Sequence, residues 1–179
     1  HLIQGYDACH KRLIDAGIKP ILRRLDNEIS NNLIASVKSK NLDCQLVNTC
    51  MHQRNPAERA IQTFKAHFIS ILNGTHTNWP PHTWCQLIPQ TVLTLNLLRR
   101  SRINPKLSAY HQVFGLFDFN STPLAPLGTK CIAHEPKEKR KSTWSDRGKQ
   151  GWYVGPAMHH YRQYNIFMSH TKATIPVEK

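Results

Sequence analysis

Pro20-Ile21-Leu22-Arg23-Arg24-Leu25 runs directly into Asp26-Asn27-Glu28, a short strand-like run that stops on three polar residues. Its flanks read as helix. Residues 3–16 place Ile3, Tyr6, Leu13 and Ile14 on one apolar side, and Gly17 supplies the stop. Downstream, Ser30 is placed to cap a second helix carrying Leu33, Ile34 and Val37. Asp43-Cys44-Gln45-Leu46-Val47 is the next strand. The polar loop 48–54 then leads to Asn55-Pro56, an N-cap with proline in the first turn. From there Ile61, Phe64, Phe68, Ile69 and Leu72 define the apolar face of a long helix, and Ile61, Phe64, Phe68 and Leu72 are expected in the core. Helix alternating with strand predicts an α/β layer whose functional groups gather at strand ends and helix starts.

Proline resets the chain further on. After Pro80-Pro81, residues 84–99 read as helical, with Pro89 kinking or restarting the helix. A short helix is expected between Ser108 as cap and Gly115 as stop. Pro123, Pro126 and Gly128 mark a linker. Beyond it, short β-like runs, turn glycines and six aromatics from Trp144 onward predict a small, mostly β appendage. The expected organisation is a core with C-terminal helices over 1–122, a linker over 123–129, and a small basic β domain over 130–179.

The 179 residues carry 24 Lys+Arg and 11 Asp+Glu, a formal charge of +13. The excess is spread along the chain: +3 over 1–60, +4 over 61–129 and +6 over 130–179. Such a charge is the footprint of a polyanion binder, because phosphates neutralised by Lys and Arg release condensed counterions. A basic protein with no specific partner is the plain alternative. Apolar residues make up 40%, enough for a real core, which argues against wholesale disorder. No apolar run approaches the ~18 residues that span a bilayer, residues 1–30 lack a signal-peptide layout, and no membrane partner is expected. Five cysteines without CxxC pairing fit reduced thiols in cytosol or nucleus, and the eleven histidines do not form a zinc-ligand pattern. A chain that begins with His1 rather than Met is expected to be part of a longer one.

Two acidic residues stand where an α/β layer places chemistry. Asp26 ends a strand, and Glu58 falls in the first turn of the long helix, 32 positions later. Carboxylates meeting at one sheet edge can share Mg²⁺ or Mn²⁺. Two such ions about 3.5–4 Å apart can activate a nucleophile and stabilise a leaving oxygen in phosphoryl transfer. Taken singly, the ordinary readings are the stronger: Asp26 as a turn residue, and Glu58 as a complement to the helix dipole worth about 0.3–1 kcal/mol.

Their surroundings reverse that judgement. Leu25-Asp26-Asn27-Glu28 and the run from His52-Gln53-Arg54-Asn55-Pro56-Ala57-Glu58-Arg59 to Gln62-Thr63-Phe64-Lys65 resemble the second Asp and the Glu of the DDE integrase core. That family comprises retroviral and retrotransposon integrases and related transposases. The likeness continues through Ser101-Arg102-Ile103-Asn104-Pro105, Ala109-Tyr110 and Phe114-Gly115. It then reaches Gly128-Thr129-Lys130, Lys139-Arg140-Lys141, Trp144, Gly151-Trp152-Tyr153-Val154-Gly155 and Tyr161-Arg162-Gln163-Tyr164. It covers nearly the whole chain, and the Ala-Glu-Arg helix is its specific part.

The resemblance implies an α/β fold: a partial ribonuclease-H-like integrase core followed by helices and a small SH3-like β-barrel appendage. It also implies a triad of two Asp and one Glu holding two metal ions, with Asp26 as its second member and Glu58 as its third. Only Asp7 and Asp15 precede Asp26, both in the first helix, so the first member is expected upstream of this chain. The zinc-binding module that precedes many integrase cores is absent, the Asp-to-Glu spacing is slightly short, and Glu28 stands where many relatives have glycine. Gln62 and Lys65 take positions that contact the element's DNA end, with Arg54 and Arg59 as lesser candidates. Arg59 equally fits a partner for an acidic group of the fold. In the tail, Lys139, Arg140 and Lys141 belong to a basic set with Lys137, Arg147 and Lys149 that suits phosphate contact. Trp152, Tyr153, Tyr161 and Tyr164 read first as the barrel's own core. Arg99, Arg100 and Arg102 form a further basic cluster, equally readable as a solvated helix end.

The leading expectation is the C-terminal part of a retroelement integrase, a DNA-binding polynucleotidyl transferase using Mg²⁺ or Mn²⁺ for 3′-end processing and strand transfer. Its partners would be element ends, target duplex and further copies of itself. Its place would be the nucleus, after a cytoplasmic particle. A catalytically inactive or domesticated remnant that binds DNA or a protein is the alternative. A ribonuclease-H-like nuclease of another family is weaker, because the tail is basic and aromatic.

Overall fold

The computed structural model describes residues 1–26, 29–47, 56–140 and 142–178, with the backbone alone for Asp26 and Lys139. Helix α1 spans Leu2–Asp15 and ends where Gly17 turns to φ +74°, so that the Ile18 N–H reaches the Leu13 carbonyl at 2.9 Å. Strand β1 (Leu22–Asp26), helix α2 (Asn31–Lys38) and strand β2 (Asp43–Val47) follow. The two strands pair in parallel, with Leu22 opposite Asp43 and Asp26 opposite Val47. Parallel pairing needs a crossover, and α2 lies within it. Ser30 stands at the N-cap of α2 in an extended conformation, but its hydroxyl makes no capping bond. Burial of Leu33 and Val37, with Leu42 ahead of β2, anchors the helix instead.

Helix α1 buries no residue fully and is held by charge and an aromatic ring. Lys40 Nζ lies 2.7 Å from Asp7 Oδ1, and Arg23 Nε donates to Tyr6 Oη at 3.1 Å. Both cations also sit 5.4 Å from the centre of the Tyr6 ring.

Helix α3 (Pro56–Asn73) is followed by a 3₁₀ helix (Pro81–Leu87), α4 (Ile88–Leu98) and α5 (Ala109–Phe114). Pro89 falls in the first turn of α4, where its missing N–H leaves no bond unmade, so the helix restarts there as expected. Ser108 Oγ accepts from the His111 N–H at 3.0 Å, and Gly115 closes α5 at φ +82°. The remaining strands, β3 (Lys130–His134), β4 (Gly148–Pro156), β5 (Gln163–Met168) and β6 (Ala173–Glu178), form an antiparallel meander in that order. The class is thus mixed α/β: a parallel pair, a helical layer and a four-stranded antiparallel sheet. Among the described residues no helix is long and apolar enough to cross a membrane.

One core joins the helices to the meander. Trp79, Leu87 and Leu127 are buried together with Ala133, Tyr153, Val154, Ile166, Phe167 and Met168. Residues 123–129, expected to be a linker, are irregular but packed. The Gly128 N–H donates to the Tyr153 carbonyl and the Tyr153 N–H to the Thr129 carbonyl, each at 2.9 Å, while Gln90 Nε2 donates to the Ala125 carbonyl at 2.8 Å. Gly128 itself sits at φ +72°, and a Cβ there would come within 2.5 Å of Thr75 Cγ2. The prolines do exclude helix, as read, but Leu127 is apolar enough to be drawn inward.

The expected core face of α3 needs correction. Phe68, Ile71 and Leu72 pack against the common core, but Ile61 is 52% exposed and Ile69 57%. Helix α3 turns toward α4, where His67 Nε2 lies 3.2 Å from Thr94 Oγ1, and that rotation leaves the two isoleucines on the open side. In the meander Tyr153 is buried and Trp152 and Tyr164 pack against the core, whereas Tyr161 is exposed.

Tyr153 links the two halves of this core chemically. Its hydroxyl donates to Gln90 Oε1 at 2.6 Å and accepts from the Ala125 N–H at 3.3 Å. Burial pushes the phenol well above its ordinary value, so the folded chain keeps a proton that the unfolded chain releases near pH 10. Above that pH the native state binds more protons than the unfolded one, and stability falls as pH rises. Melting followed by circular dichroism should therefore weaken beyond about pH 10, and Tyr153→Phe should flatten this alkaline decline while lowering stability at neutral pH. An alkaline slope identical in both proteins would refute the assignment.

Candidate active-site edge and nucleic-acid interface

Asp26 closes β1 on the edge where both parallel strands end, in register with Val47. Glu58 lies in the first turn of α3, half-buried, where its charge complements the exposed N–H groups of the helix start. Both residues thus lie at the places along the chain anticipated for them, a strand end and a helix start. Asn27, Glu28 and Arg54 lie outside the described residues, as does Lys141. Gln62 and Lys65 are exposed one and two turns beyond Glu58, on the same face of α3. Arg59 is also exposed, and its carbonyl accepts from Thr63 Oγ1 at 2.9 Å.

Asp7 and Asp15 lie in α1, and Asp7 is engaged by Lys40. Among the described residues no three His, Cys, Asp or Glu side chains form a group able to hold a metal ion. Arg99 follows the last turn of α4 and Arg100 bridges to Ser108, so two members of that basic cluster are built into the turn between α4 and α5.

The tail concentrates its cations at the β3–β4 connection. A short 3₁₀ turn, Lys137–Lys139, opens it, and the Glu135 N–H closes its base on the Arg147 carbonyl at 2.9 Å. Lys137, Arg140 and Arg147, with His134, Ser142 and Thr143, line a cleft of about 700 Å³. Arg140 is fixed in it: Nε donates to the Glu135 carbonyl at 2.8 Å, and a terminal nitrogen lies 2.9 Å from His134 Nε2. The Glu135 carboxylate is ion-paired with Lys149, and that contact holds its pKa below the ordinary carboxylate value. Lys149, grouped with the DNA-facing cations by sequence, is thus committed within the fold. By sequence His134 enters only as a zinc ligand with Cys131, a reading set aside, and Ser142 and Thr143 are not singled out; hydroxyls beside a basic run are the signal that could have found the latter two.

No family model matches the chain, and a search of curated proteins finds no significant match.

Proposed function

We propose that this chain is the C-terminal part of a retroelement-type integrase, a partial ribonuclease-H-like core joined to a basic SH3-like β unit, acting on DNA in metal-dependent phosphoryl transfer. The observation that carries the reading is an order along the chain: Asp26 at a parallel-strand end, Glu58 at the start of α3, and then a basic β meander. Two carboxylates are the oxygen donors that Mg²⁺ or Mn²⁺ prefers, so Asp26 and Glu58 fit that role in kind and supply two of the three expected ligands. The bound ions would supply charge neutralisation for the attacking and leaving oxygens. Gln62 and Lys65, one and two turns along the Glu58 face, position the DNA end. The cations of the β3–β4 connection hold its backbone. Phosphoryl transfer depends almost wholly on such positioning and charge.

The test is a gel assay on a labelled duplex bearing element ends, with either metal. These 179 residues alone should bind duplex DNA at low salt, roughly in the 10⁻⁴–10⁻⁶ M range of nonspecific electrostatic binding, and should not cleave it. A chain extended upstream to an Asp-bearing strand should process and join the ends. If that chain binds DNA but joins nothing, the inactive DNA-binding remnant is the better reading. Cleavage by the 179 residues that disappears in Glu58→Gln would instead return Asp7 and Asp15 to consideration.

A further inference from the structure

Trp144 is 96% exposed, whereas Trp79 and Trp152 are packed into the core. A single exposed apolar side chain needs no explanation by itself. The turn that carries this one is clasped, however. The Ser142 N–H donates to Ser145 Oγ at 3.0 Å, the two serine hydroxyls lie 3.0 Å apart, and the Ser145 N–H returns to the Ser142 carbonyl at 3.2 Å. The exposed indole is thus carried by a hydrogen-bonded turn. Ser142 and Thr143 of the same turn line the cationic cleft with Lys137, Arg140 and Arg147.

The cleft offers positive charge, fixed at Arg140, and hydroxyl donors, and among the described residues no carboxylate lines it. Glu135 is already paired with Lys149, and Glu138 and Asp146 are exposed. A phosphate group suits such a lining, since guanidinium and hydroxyl groups can both donate to its oxygens. A flat aromatic surface beside a phosphate site matches a nucleotide's other half, the base. Bases inside a duplex are stacked on one another and offer no free face, whereas an unpaired base does.

We propose that the Trp144 turn and the adjoining cleft recognise single-stranded DNA, with a backbone phosphate in the cleft and an unpaired base stacked on Trp144. This rests on reading the basic tail as a DNA surface and adds a preference for frayed or overhanging strands over closed duplex.

Fluorescence anisotropy of a labelled single-stranded oligonucleotide and of a labelled blunt duplex, each titrated with the 179-residue chain across a salt series, tests it. Trp144→Ala should weaken single-strand binding roughly tenfold, the scale of one lost stacking contact, and leave duplex binding unchanged. Trp144→Phe, which keeps an aromatic face, should recover most of the loss. Arg147→Gln should weaken both complexes and lower the salt slope by about 0.7–0.9 for the lost phosphate contact. Undiminished single-strand affinity in Trp144→Ala would overturn the stacking role and leave the exposed indole to a protein partner. Equal loss on both DNAs would overturn it too, by assigning Trp144 to general binding. No binding of either DNA by the unaltered chain would overturn the DNA-binding reading itself, an outcome distinct from the other two.

Discussion

Glu58→Gln, placed in a chain extended upstream to supply the first carboxylate that the proposed integrase reading requires, should on that reading abolish strand transfer while leaving DNA binding nearly intact. The substitution keeps the shape of the side chain and removes its charge. At the start of α3 the structural cost is that of a lost helix-dipole partner, about 0.3–1 kcal/mol, too little to unfold the protein. The catalytic cost is of another order. Groups that stabilise charge developing in a transition state are each worth about 10²–10³ in rate, and a carboxylate needed to hold the metal should cost at least that. Asp26→Asn should behave in the same way from the end of β1. Gel separation of joined products from a labelled end duplex, beside an anisotropy measurement of affinity, separates the two costs. Near-normal joining by either variant would remove it from the site.

Leu87→Ala should destabilise helices and meander together, by about 2–5 kcal/mol. Leu87 is fully buried where the 3₁₀ helix meets α4, in the core it shares with Tyr153, Ile166 and Phe167. Truncation there leaves a cavity in the core that the helical layer and the sheet share. Urea unfolding followed by far-ultraviolet circular dichroism and by tryptophan fluorescence should give coincident curves, both shifted to lower denaturant. Two separated transitions, with only one moved, would mean that residues 130–178 fold on a core of their own. The same packing argues against deleting the tail to measure its share of DNA binding: deletion would uncover Leu87, Leu127 and Trp79. Neutralising single cations such as Arg147 keeps the core and isolates the charge.

Element limits were legible because the signals that set them are local. Gly17 ends α1 through its positive φ, Pro89 starts α4 because the first helical turn leaves its nitrogen without a needed partner, and Ser108 and Gly115 bracket α5. The run Asp43–Val47 forms β2 over those same five residues. Asp26 and Glu58 could be placed at a strand end and a helix start for the same reason: each lies within two residues of such a limit.

What periodicity could not say is which neighbour covers an apolar face. Ile61 belongs to the apolar stripe of α3, yet the helix turns Phe68, Ile71 and Leu72 to the core and leaves Ile61 in solvent. Pro123, Pro126 and Gly128 carry the composition of a linker, but Leu127 is buried in the core that also holds Tyr153. Trp144 has the same side chain as Trp79 and the opposite fate. Sequence by itself determined the local backbone, the charge, and the two acids at element ends, because those depend on residues a few positions apart. Only the tertiary structure decided which apolar groups are buried, that helices and meander share one interior, and that three cations share a cleft with Ser142 and Thr143 of the turn bearing an exposed indole. Those outcomes depend on contacts between segments distant in sequence, where burial of the whole set rather than the preference of any one residue sets the lowest free energy.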